Sequence, residues 1–236
     1  MLTALLQVPA FVGEPAQDIA WPALVDQTTQ DYEDPYRDLD SAQIRAVVEI
    51  ARIRSQLKNV ALSAEQRRLL SDDLRGLEMR AQSVGIDVDH LISQRWEVAE
   101  RRRLAATAGN TEIDGLDIRI AGFIIPAPPA ADGRPVAYLV PERGMCSHMP
   151  PPPPNQMIRV RMSDDWSPTF IYQPVRFTGR IALRPSAERI MVVDGLVTMN
   201  ATFELDATAA EPLLPVGQNP PRVVGHRAGT RPVTVQ

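Results

Sequence analysis

Cys146 and His148 are the residues of this chain best suited to chemistry. Cys146 is the only cysteine, so no internal disulfide can form, and His148, one of three histidines, stands two positions further on. In an extended segment such a pair points to one side, which would bring a thiolate and an imidazole together. A soft sulfur beside a borderline nitrogen suits zinc or copper, the thioethers of Met145 and Met149 suit copper(I), and nothing here suits calcium or magnesium. Zinc takes four donors, and the missing ones would come from Glu142, Asp164, Asp165, His226 or a second copy of the chain. Two other readings compete. Cys146 can be a small buried hydrophobe with His148 bonded to a carbonyl. Alternatively, His148 activates Cys146 as a nucleophile with Asn155 as the orienting group, which an i, i+2 pair permits only in some geometries.

The residues around this pair would have to position it. Gly144 precedes it, and Pro150, Pro151, Pro152, Pro153 and Pro154 follow, then Asn155 and Gln156. Proline fixes φ and lacks an amide proton, so five in succession predict a stiff polyproline II rod that contributes nothing to a strand ladder. An exposed rod is a ligand for an aromatic groove on another protein. A packed rod is a wall that aims Cys146 and His148, with Asn155 and Gln156 bonding the freed carbonyls. Its place between two strands favours packing.

The run from Gly144 through Cys146, His148 and the prolines to Asn155-Gln156 resembles the signature of a bacterial family known as domain of unknown function 3299. Gly122-Phe-Ile-Ile-Pro126, Tyr138-Leu-Val-Pro141 and Tyr172-Gln-Pro-Val-Arg-Phe-Thr-Gly179 resemble its strands, and Asp18-Ile-Ala-Trp21 its short N-terminal motif. The likeness is good from about Asp114 to Asp206 and poor over the helical part. It implies a periplasmic or envelope-associated protein, often a lipoprotein, with a role in metal handling and with envelope transport components as partners.

Composition limits the alternatives. With 25 basic against 29 acidic residues the net charge is -4, which argues against a dedicated nucleic-acid binder. The run Arg101-Arg102-Arg103 is local and reads as a complement to a helix end. No apolar run approaches the roughly 20 residues that span a bilayer. The apolar opening, Met1 to Ala16, lacks a basic n-region and is expected to be a loosely docked arm or the remnant of a signal peptide. The acidic stretch Trp21 to Asp40 reads as a surface strap, without the residue order of a calcium loop.

Helices come next. Ile44, Val47, Val48 and Ala51 form one stripe and Ile50, Ile53 and Leu57 another, which predicts a helix over 41–58 packed against two neighbours. Ser63 to Gln66 is a capping box opening a second helix, closed by Gly85, and Asp87 or Asp89 caps a third that runs to about Leu104. His90 falls in its first turn, with a polar surface role.

At Gly109 the apolar period changes from 3.6 to 2. Strands are expected at 116–124, 137–140, 157–162, 175–183 and 197–205, with glycines at bends. The fold class is therefore α+β: a small, mostly antiparallel, OB-like β-barrel of about five strands preceded by about three helices. Residues 1–40 are the arm and acidic linker, 41–108 the helical segment, 109–206 the β core, and 207–236 a proline-rich tail of disordered type. The functional expectation is a non-enzymatic envelope protein that binds zinc or copper through Cys146 and His148. A scaffold with a structural Cys146 is the second reading and a thiol enzyme the third; a homo-oligomer stays open.

Overall fold

The computed structural model describes residues 15–59, 61–144, 152–162, 170–192 and 195–213. Three helices and a six-stranded mixed sheet make an α+β fold.

Helix α1 (Ser41–Leu57) opens on a capping box between Asp40 and Gln43. Helix α2 (Ala64–Ser83) opens on the expected one, in which Gln66 N–H reaches Ser63 Oγ at 3.1 Å and Ser63 N–H reaches Gln66 Oε1 at 2.9 Å. Gly85 closes it at φ 77°. Helix α3 (Val88–Thr107), capped by Asp87, runs a turn beyond the expected end. Helix α1 packs against both others, as its apolar residues predict, but its first stripe is only partly covered. Val47, Ile50 and Ile53 are buried, whereas Ile44 and Val48 of the first stripe are exposed. Arg54 fastens the trio, holding Glu78 of α2 at 2.7 Å and Asp89 of α3 as well.

The strands are β1 (Gln17–Asp18), β2 (Asp117–Ala127), β3 (Val136–Val140), β4 (Ile158–Arg161), β5 (Pro174–Val192) and β6 (Gly195–Pro212). Their order is β1-β2-β3-β4-β6-β5, and β2 also pairs with β5. Four pairings are antiparallel, while β1–β2 and β4–β6 are parallel. The expectation of five mostly antiparallel strands thus gives way to six in a mixed sheet. The reason is directional: β2, β3 and β4 alternate, β5 runs against β2, and β6 runs against β5, so β6 and β4 point the same way.

The last two strands are longer than expected. Pro185 has no amide for the ladder, but it sits where the register shifts between Leu183 and Ser186, an irregularity that tolerates the loss. Strand β5 therefore continues to Val192, and β6 continues past the expected core end at 206 to Pro212. A second shift falls at Gly179, where an added Cβ would lie 2.2 Å from the Asp206 carbonyl oxygen. Only glycine fits that crossing.

The sheet buries residues on both faces. Ile118, Ile120, Ile124, Leu139, Val160, Phe177, Phe203 and Leu205 lie in one cluster, and Ile125, Tyr138, Val140, Met157, Ile190 and Met199 in the other. Strand β3 is buried throughout, as its unbroken apolar run requires. The acidic strap is not merely laid on the surface: Leu24 is fully buried in the first cluster and Val25 bridges Gly109. No helix among the described residues is long and apolar enough to cross a membrane.

Candidate functional site

Strand β3 ends at Val140, and Pro141 to Gly144 carry the chain away, with Gly144 at φ 93°. The chain is described again from Pro152, which is buried. Cys146, His148, Pro150 and Pro151 lie outside the described residues, as do Asp164, Asp165 and His226. Glu142 is exposed. Among the described residues no group of three or more histidines, cysteines, aspartates or glutamates is placed to hold a metal ion.

The proline run ends differently from the sequence expectation. Pro153, at φ -59° and ψ 150°, is in the polyproline II region, but Pro154 already belongs to a 3-10 turn, Pro154–Gln156. The carbonyls of Pro153 and Pro154 are taken by backbone: Gln156 N–H donates to Pro153 O at 2.8 Å and Met157 N–H to Pro154 O at 3.2 Å. Asn155 and Gln156 therefore have another task.

Asn155 is 1% exposed, and its Nδ2 donates to Ala105 O at 2.8 Å and to Ala108 O at 3.0 Å. A helix end leaves its last carbonyls without intrahelical partners, and at the end of α3 this side chain supplies them. Gln30 Nε2 also donates to Ala105 O at 3.0 Å, Asp26 N–H to Ala108 O at 3.3 Å and Thr202 Oγ1 to Thr107 O at 2.9 Å. Gln156 Nε2 donates to Trp21 O at 3.0 Å, and Trp21 Nε1 to Ala121 O at 2.7 Å. The turn after the prolines thus joins the end of α3, the N-terminal strap and the sheet. Both amide hydrogens of Asn155 are committed to that joint.

A second polar cluster crosses the sheet. Arg159 and Arg161 on β4 stand beside Glu204 and Asp206 on parallel β6. Glu204 is buried and takes Arg159 Nη1 at 2.7 Å and Arg184 Nη1. Arg159 Nε lies 3.0 Å from Glu188, which accepts from Tyr138 Oη at 3.1 Å. Asp132 binds Arg161 at 2.6 Å and Arg134 at 3.0 Å. Burial works against the Arg159 cation, but Glu188 and Glu204 outweigh it and raise its pKa. Burial first, and the charge of Glu188 second, push the Tyr138 phenol far above its usual range. Four arginines face four carboxylates, so the group balances itself and acts as a polar clamp between strands.

The outer helical surface is the third feature. Trp96 is 73% and Val48 61% exposed, and Leu69, Met79 and Val84 also lie open. Between α1 and α3 runs a groove of about 820 Å³ lined by Val48, Ala51, Leu57 and Ile92 together with Arg52, Arg54, Lys58 and Arg95. The basic run on α3 is spoken for: Arg101 pairs with Glu97, Arg102 with Asp34 and Arg103 with Glu100. His90 is exposed, in accordance with its expected surface role.

Sequence reasoning missed the charge clamp, although Arg159, Arg161, Glu204 and Asp206 repeat at period 2 with matching opposite signs. It also expected both apolar stripes of α1 to be covered by neighbours. The family profile described as "Protein of unknown function (DUF3299)" matches residues 21–212. A crystal structure of a DUF3299 family protein from Pseudomonas aeruginosa PAO1 is 16% identical, with a TM-score of 0.42, over 84% of this chain and 97% of that one. Comparison with curated proteins finds no match.

Proposed function

This chain belongs to the DUF3299 family, and for it we propose a non-enzymatic role, as an adaptor of the bacterial cell envelope that binds another protein through its helical arm. The observation that carries this reading is the open apolar surface on α1, α2 and α3, above all Trp96 and Val48. Large apolar side chains left in water on neighbouring helices, beside an apolar-lined groove, make this surface the candidate interaction site. A sheet joined to the arm through Asn155 and to the strap through Gln156 suits a presenting platform better than a reaction centre. The envelope location and a partner from a transport system rest on the family resemblance.

We further propose that the sheet is an OB-like barrel. The order β2-β3-β4-β6-β5, the return pairing of β5 with β2 and the parallel β4–β6 pair support it.

A second reading gives Cys146 and His148 a transition metal, zinc or copper. It is favoured by what stands on either side of that segment: a turn at Gly144, in a left-handed conformation, before it and buried Pro152 after it. Elemental analysis of untagged protein tests it. A stoichiometric metal lost in Cys146→Ala and His148→Ala supports the ligand role, and metal-free protein removes it.

The adaptor role is tested by affinity capture from envelope extracts on the full chain and on a Val48→Asp, Leu69→Asp, Trp96→Asp variant. A partner held by the first and lost by the folded second is expected. An identical set on both baits refutes the adaptor.

A further inference from the structure

The groove between α1 and α3 carries a chemical bias that says what it takes. Its apolar lining is Val48, Ala51 and Leu57 of α1 and Ile92 of α3. Every charged residue lining it is basic: Arg52, Arg54, Lys58 and Arg95. Two of these are balanced, Arg52 by Glu49 and Arg54 by Glu78 and Asp89. Among the described residues Lys58 and Arg95 have no carboxylate partner in ion-pair range; Arg95 donates to Ile92 O and lies over the Trp96 ring at 5.2 Å. In a chain of net charge -4, a groove whose charged lining is all basic, with Lys58 and Arg95 left over after the ion pairs, is a local reversal of sign.

Resting on the adaptor reading, we propose that this groove docks an acidic amphipathic helix of a partner protein. Apolar side chains of the incoming helix sit on Val48, Ala51 and Ile92, and its flanking carboxylates meet Lys58 and Arg95. From Val48 to Lys58 the groove wall rises about 15 Å, enough to seat nearly three turns. Trp96 lies one turn beyond Ile92 on α3 and extends the apolar contact. Helix-in-groove recognition of this kind reads anchors at i, i+3, i+4 and i+7, with rim charges setting partner choice.

The test uses the full chain and a fluorescein-labelled helical peptide with leucines at those anchor spacings and flanking glutamates, against a twin with lysines in their place. Anisotropy titration is expected to show the glutamate peptide binding at least about tenfold tighter than its twin, with the preference inverted in Lys58→Glu, Arg95→Glu protein. Equal affinity of the two peptides, or a preference unchanged by the double variant, overturns the proposal. A photo-crosslinking residue at position 48, used in host cells, separates the two levels of the argument. A crosslinked partner segment that is acidic and helix-patterned supports the proposal. A partner segment without acidic residues, a lipid, or a second copy of the chain overturns the groove assignment and leaves the adaptor role standing. No crosslink together with no captured partner overturns both.

Discussion

Asn155→Ala tests how the helical arm is fixed to the sheet. The side chain is almost wholly buried and makes two hydrogen bonds, to Ala105 O and Ala108 O. Each such bond contributes about 1 kcal/mol net, and the two acceptors keep a second donor in Gln30 and Asp26, so neither carbonyl is left bare. The expected loss is therefore about 2–3 kcal/mol, with the vacated volume included. At about 2–4 °C per kcal/mol for a chain of this size, the melting temperature falls by about 5–10 °C. Asn155→Asp keeps the shape, removes the donors and sets a carboxylate against the negative end of α3, so it costs at least as much as alanine. Urea unfolding followed by circular dichroism gives the values, and hydrogen exchange of the last turn of α3 locates the damage. A change below about 0.5 kcal/mol in Asn155→Ala, the range of an ordinary surface substitution, would refute the joint.

Three further outcomes follow from the same structure. Glu204→Ala leaves Arg159 buried beside Glu188 alone and costs about 3 kcal/mol or more in urea titration, while Arg159→Met combined with Glu204→Met regains most of it. The bond from Arg102 holds the Asp34 carboxyl below the usual aspartate range, so its contribution is present above about pH 4 and disappears as the pH falls through the lowered value. Asp34→Asn is accordingly less stable than the parent at neutral pH and loses less on acidification, which a pair of denaturation series at neutral and acid pH reads directly. Gly179→Ala drives a Cβ against the Asp206 carbonyl and lowers stability by about 1–3 kcal/mol without altering the helices by circular dichroism.

Local signals in the sequence were good guides where the physics is local. The Ser63 capping box, the Gly85 close and the alternation from Ile118 to Ile124 each depend on residues within a turn or a strand, and each is where periodicity and capping place it. What failed was long-range. The direction of β6 against β4 depends on where β5 docks, which no window of sequence contains. The fourth strand was expected to end at 183, yet it runs on past Pro185, whose missing ladder bond is tolerated at the register shift between Leu183 and Ser186. Asn155 and Gln156 were legible as special but not as joints, since their acceptors lie 47 or more residues away for Asn155 and 135 away for Gln156. The apolar stripe of Ile44 and Val48 was taken for core because periodicity records a face, not what covers it. Cys146 and His148, the residues from which a ligand role was argued, remain a matter of sequence.

The adaptor account stands on side chains that are open in the free chain and covered in service, and Trp96 reports that directly. Hydroxyl-radical footprinting compares its oxidation in purified protein with that in living host cells, using half-buried Trp21 on the strap as the internal reference. The account predicts that Trp96 oxidises several-fold more slowly in cells, relative to Trp21, and regains the fast rate when Val48→Asp breaks the groove. An equal rate in both settings would contradict it.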